Sequence, residues 1–126
     1  MTEPITLRPG EPIEITSPNF PGFYDNNVDK TWYIIAPPGY SVAIDFPVFR
    51  LESGFDFLSI YEGVTGDVDD RLLIHKLTGN EIVDRVTSFG SHVWLWFTSD
   101  FSFQEQGFRL IITVVESIGA YFTSSF

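Results

Sequence analysis

The residues able to do chemistry in this chain are few in kind. Asp and Glu together number 17, His numbers 2 and Cys is absent. Disulfides, thiol nucleophiles and thiolate metal sites are therefore excluded. His75 and His92 each fall inside an apolar alternating segment, with no HExxH pair and no nucleophile elbow in the chain. An imidazole in that setting reads as a strand residue at a sheet face. Paired carboxylates could hydrolyse a glycosidic bond, but that chemistry needs a cleft between them, which a domain this small does not evidently offer. Trp94 and Trp96 stand two apart and so share a strand face, where they could stack on a sugar ring or anchor a protein partner. The stretch FTSDFSFQEQGFRLII, Phe97 to Ile112, poses the sharpest question, because Asp100 sits in a turn between two apolar segments, wrapped in serines and phenylalanines.

The elements that must position these groups are strands. Helical periodicity is almost absent, and alternation with period two recurs along the chain. In SVAIDF, Val42, Ile44 and Phe46 share a face; in HVWLWF, Val93, Leu95 and Phe97 share one face and His92, Trp94 and Trp96 the other. GFRLIITVVE places Phe108, Leu110, Ile112 and Val114 together. PIEITS, KTWYIIAP, DFLSIYEG, RLLIHKL and EIVDRVTSF are further strands, separated by PNFPG, PPG, ESG, TGD, LTGN and FGSH, which carry turn chemistry. The pattern predicts an all-β sandwich or jelly roll, two sheets packed face to face.

At 126 residues the chain is one domain, and 44% hydrophobic residues with 13 Phe provide its core. Net charge is -10, which disfavours nucleic acid and anionic membranes and favours cations and basic partners. No segment has the length to insert in a bilayer. Asn19, Asn26, Asn27 and Asn80 all lack the Ser or Thr of a glycan acceptor.

The ordered words ITSPNFPGFYDNN, DKTWYIIAPPGYSVAIDFPVFRLE, FDFLSIYEG and VWLWFTSDFSFQEQGFRLII resemble a CUB domain, over about Ile13 to Val115. The resemblance divides the chain into residues 1–12 as an extension or first edge strand, 13–115 as the domain and 116–126 as a tail. It implies a jelly-roll β-sandwich of two antiparallel sheets, noncatalytic, secreted or at the cell surface as part of a larger protein. It also implies two disulfides that this chain lacks: Lys30 stands at one half-cystine position, and Ser53 and Thr78 stand at the two ends of the second bridge. Losing such staples costs a few kcal/mol each.

Many CUB domains hold calcium, and the resemblance carries that site onto the carboxylates of Glu52, Asp56 and Asp100 and the backbone carbonyl of Ser102. Tyr24 matches the tyrosine that supports a ligand carboxylate from behind. Phe103 stands where the family often has Asn, so it offers only its carbonyl. Calcium takes about 6 to 8 oxygens, and carboxylates gathered from separate loops repel one another without a cation between them. The implied function is calcium-dependent capture of a protein partner, through its Lys or Arg, at a surface including Tyr24, Glu52, Asp100, Trp94 and Trp96. The alternatives are a carbohydrate-binding module using Trp94 and Trp96, or a self-assembly module.

Overall fold

The computed structural model describes residues 3–64 and 68–117. Among these residues nine strands follow one another: β1 (Ile5–Thr6), β2 (Ile13–Thr16), β3 (Asp29–Ile35), β4 (Tyr40–Arg50), β5 (Phe57–Glu62), β6 (Leu73–Leu77), β7 (Val86–Thr87), β8 (His92–Thr98) and β9 (Gly107–Glu116). One sheet has the order β1-β3-β8-β5-β6 and the other β2-β9-β4-β7. The fold is the expected all-β sandwich, and among the described residues the only helical element is a 3-10 turn at Asp70–Leu72. No described helix is long and apolar enough to cross a membrane.

Alternation builds the interior. Val93, Leu95 and Phe97 of β8, Leu58 and Ile60 of β5, and Trp32 and Ile34 of β3 line one inner face. Val42 and Ile44 of β4 and Phe108, Leu110 and Ile112 of β9 belong to the same core from the other sheet. An edge-to-face series crosses between the layers: Tyr24 on Phe97 at 5.1 Å, Phe97 on Phe108 at 5.1 Å, and Phe108 on Trp32 at 5.9 Å. Such pairs contribute about 0.5–1.5 kcal/mol beyond area burial, and this series ends at Tyr24, beside the carboxylates.

The structure departs from the sequence expectation in two places. The sheets are not wholly antiparallel, because β1 pairs with β3 in parallel, Ile5 opposite Ile34. The chain then crosses to the other sheet as β2, so no hairpin imposes the opposite direction. EIVDRVTSF shrinks to Val86–Thr87, since Arg85 grips Asp45 of β4 with two hydrogen bonds, at 2.9 and 2.7 Å, in place of a ladder. In β4 the register with β9 shifts between Asp45 and Val48, around Pro47, which has no amide hydrogen to donate. Of the C-terminal tail, residues 118–126 lie outside the described part.

Strand directions bring three loops to one end. Asp29 of β3 and Phe57 of β5 both lie opposite Thr98 of β8, and Arg50 of β4 lies opposite Gly107 of β9. Residues 17–28, 51–56 and 99–106 therefore share that rim.

Candidate metal centre

Each carboxylate is placed by backbone geometry. Glu52 follows β4 and opens a tight turn in which the amides of Phe55 and Asp56 both donate to the Glu52 carbonyl, at 3.3 and 3.1 Å. Asp56 immediately precedes β5 and is fully buried. Asp100 follows β8, and its carbonyl accepts the amide of Asn27 at 2.7 Å, tying two loops together. The Ser99 hydroxyl reinforces that joint, accepting from Val28 N at 2.8 Å and donating to the Asp25 carbonyl at 2.7 Å.

Tyr24 stands behind the group and is almost wholly buried. Its hydroxyl donates to Asp56 Oδ2 at 2.5 Å and accepts the Glu52 amide at 3.1 Å. Asp56 Oδ1 accepts the Asp100 amide at 2.9 Å, and Asp100 Oδ1 accepts the Ser102 amide at 3.2 Å. The loops are thus cross-linked through the acids themselves. Ser17 and Gly107 close the base: the Phe108 amide donates to Ser17 Oγ at 2.9 Å. Gly107, at φ +91°, leaves room for that hydroxyl, which would lie 1.9 Å from a Cβ there.

The electrostatics are unfavourable as they stand. Glu52, Asp56 and Asp100 offer ligand oxygens within 4.8 Å of one another. Loss of water pushes the Glu52 carboxyl above the ordinary carboxylate range, and the charge of Asp100 adds to it, followed by Asp56 and Glu105. Burial likewise raises Asp56, although the Tyr24 hydroxyl and the Asp100 amide pull it back. Burial, then the bond to Asp56, holds the Tyr24 phenol far above its usual value, so it remains a donor.

These residues fit a calcium ion. Oxygens at about 2.3–2.6 Å on opposite sides of the ion lie nearly 5 Å apart, so ligand oxygens that all lie within 4.8 Å of one another can share one ion. Glu52 Oε1 is shielded from solvent and has no hydrogen-bond partner, an arrangement that costs free energy unless a ligand compensates it. The hydrogen bonds already made leave lone pairs free on all three acids.

Where a half-cystine was expected, Thr78 makes a hydrogen-bonded knot. Its hydroxyl accepts the Gly54 amide at 2.9 Å and lies 2.7 Å from the Asp56 carbonyl and 3.2 Å from that of Glu52. Ser53 lies close by, its Oγ 3.4 Å from the position of a Cβ on Gly79. Lys30, at the other expected position, extends along Trp32, its ammonium 5.8 Å from the ring.

The tryptophan pair lies on the outer face of β8 and is not an open platform. Trp94 is buried, stacked on Tyr61 at 4.3 Å and 9°, with Tyr33 and Trp96 alongside. Trp96 is partly exposed and donates its indole hydrogen to Asp29 at 2.7 Å. Phe103 adopts φ 58° with its ring 74% exposed. This left-handed region is costly for a bulky side chain and tolerable for Asn. Glu105, whose carbonyl accepts the Tyr24 amide at 3.2 Å, is a further acid that sequence reasoning did not single out. Its only signal was its place in the stretch containing Asp100.

The same architecture recurs in known proteins. Residues 9–111 match the CUB domain family model. Human Tolloid-like protein 1 is 33% identical over 99 residues, covering 75% of this chain and 10% of that protein; the chain thus spans about a tenth of that relative's length. The full extracellular region of zebrafish Gpr126/Adgrg6 is similar in structure, with a TM-score of 0.73, 27% identity and coverage of 90% of this chain and 15% of the other. The MASP-1 CUB2 domain bound to Ca2+ shares the fold, with a TM-score of 0.71 at 20% identity, covering 87% of this chain and 98% of the other. With the ordered loops, the sandwich and the sequence match all in agreement, the chain belongs to the CUB domain family.

Proposed function

We propose that this chain is a noncatalytic recognition module, secreted or displayed at the cell surface within a larger protein, that captures a protein partner in a calcium-dependent way. The observation carrying this reading is the shielded, unpartnered Glu52 Oε1 beside Asp56 and Asp100. In this reading the three carboxylates hold the ion, the carbonyls of Ser102 and Phe103 complete the oxygen set, and Tyr24 orients Asp56. Calcium supplies the positive charge that lets the loops settle into one shape. A Lys or Arg of the partner then pairs with carboxylate oxygens not spent on the metal. The Ca2+ bound by the MASP-1 CUB2 domain supports the assignment. Burial of Trp94 counts against the sugar platform.

The test is calcium titration followed by thermal melting. Binding to the folded state alone stabilises by about 2.7 kcal/mol at a hundred times Kd, or roughly 10 °C for a domain of this size. Asp100→Ala abolishes the shift. An equal shift in that variant, or none in the parent at millimolar calcium, removes the metal.

A further inference from the structure

Four phenylalanines in the loops that carry the acidic cluster are exposed to solvent: Phe23 is 63% exposed, Phe55 62%, Phe101 78% and Phe103 74%. Each sits in one of the three loops that carry the cluster. Phe23 precedes Tyr24, Phe55 precedes Asp56, and Phe101 and Phe103 follow Asp100. The loops are locked together by the Asn27 to Asp100 and Tyr24 to Glu105 backbone bonds and by the bonds of the Glu52 amide to the Tyr24 hydroxyl and of the Asp100 amide to Asp56. Phe103 holds its left-handed backbone without any compensating burial within the chain.

Summed over the four, which are spread across the three loops, the exposed surface is on the order of 400–700 Å², comparable in total with the apolar patches that mark interaction sites. It amounts to about half or more of one side of a standard protein interface. The same loops hold Asp25, Glu52, Asp56, Asp100 and Glu105 and no Lys or Arg. A calcium ion offsets two of those five negative charges, so the centre stays anionic within an apolar rim.

We propose that this rim is a specificity surface for a protein segment in which the captured Lys or Arg is flanked by aromatic or large aliphatic side chains. The proposal rests on the calcium-dependent reading of the centre and names its partner class. The basic head meets the carboxylates while its alkyl stem and its neighbours pack against Phe23, Phe55, Phe101 and Phe103. Residual negative charge at the centre selects a cationic peptide over an anionic lipid headgroup.

The experiment uses two labelled synthetic peptides, one with a central Lys between Phe and Leu and one with the same Lys between Ser and Gly. They are titrated by NMR and fluorescence polarisation in saturating calcium against the parent, Phe23→Ser, Phe55→Ser, Phe101→Ser and the triple variant carrying all three substitutions. The parent is expected to favour the apolar-flanked peptide by at least tenfold. The triple variant loses about a hundredfold for that peptide and no longer distinguishes the two, while its calcium-induced melting shift is retained. Equal binding of both peptides to the parent, no binding of either, or preference for phosphatidylserine vesicles over the apolar-flanked peptide overturns the proposal. Failure of the calcium reading is separable, because it shows as a parent without a calcium melting shift whose peptide preference is the same in chelator.

Discussion

In Tyr24→Phe the ring keeps its edge-to-face packing on Phe97 at 5.1 Å and 82°, and only the oxygen is lost. That oxygen serves two acids, donating to Asp56 Oδ2 at 2.5 Å and accepting the Glu52 amide at 3.1 Å. A buried hydrogen bond to a charged group contributes about 1.5–3 kcal/mol, and an orphaned amide costs about 1 kcal/mol more. The metal-free variant is therefore expected to lose about 2.5–4 kcal/mol. Calcium adds a second loss of different origin. Removing a group that orients a metal ligand lowers affinity about 10–100-fold, which at saturating calcium is about 1.4–2.7 kcal/mol of forfeited stabilisation. The measurement is urea unfolding of parent and variant, followed by tryptophan fluorescence, in millimolar calcium and in chelator. The loss in calcium should exceed the loss in chelator by that second amount. Equal losses in the two conditions would refute the argument, since the hydroxyl would then support the fold without acting through the ion.

Three further outcomes follow from the same geometry. Glu52 and Asp56 are both raised above unfolded values near 4, so without metal their contribution favours folding fully below those values and is lost as pH rises through the raised native ones. Calcium competes with those protons, so its melting shift should be largest near neutrality and fade on acidification; melts in calcium and chelator that stay equally separated down to about pH 4 would contradict this. In Gly107→Ala the new Cβ would meet Ser17 Oγ at 1.9 Å and Ser17 Cβ at 2.8 Å at a φ of +91°. The expected cost is about 3 kcal/mol or more, read by urea unfolding. Thr78→Val keeps volume but removes the bonds to Gly54 and Asp56, so about 2 kcal/mol should be lost and amide exchange across residues 52–56 should accelerate; unchanged exchange there would show that the knot does not restrain the loop.

The strands were legible because alternation is a local signal: Val93, Leu95 and Phe97 announce their shared face within five residues, and all three are buried. Two-residue β1 carries too little pattern to show that it pairs, and nothing local specifies its parallel direction. Trp94 shows a different limit, since alternation assigns it to the outer face correctly, but burial there depends on Tyr61 and Tyr33, which arrive through ladders with β5 and β3. The carboxylates converge through the same non-local register, with Asp29 and Phe57 both opposite Thr98. Only the order of family words anticipated their meeting.

Phenylalanine makes the division sharpest. Phe97 and Phe108 lie in strands, where period two assigns them inward, and both are fully buried. Phe23, Phe55, Phe101 and Phe103 lie in loops, where no period exists, and all are exposed beside the acids. A loop residue's exposure follows from where its neighbours' backbone hydrogen bonds go, here the Asn27 to Asp100 and Tyr24 to Glu105 joints. Those bonds close between segments more than 70 residues apart in the chain. Composition can count the aromatic residues, and periodicity can place those in strands, but which of the loop residues stay in solvent is decided by the long-range closure that also assembles the acidic cluster. The acidic centre and its apolar rim are thus products of one folding event, and a variant that loosens the joint between the loops should weaken both together.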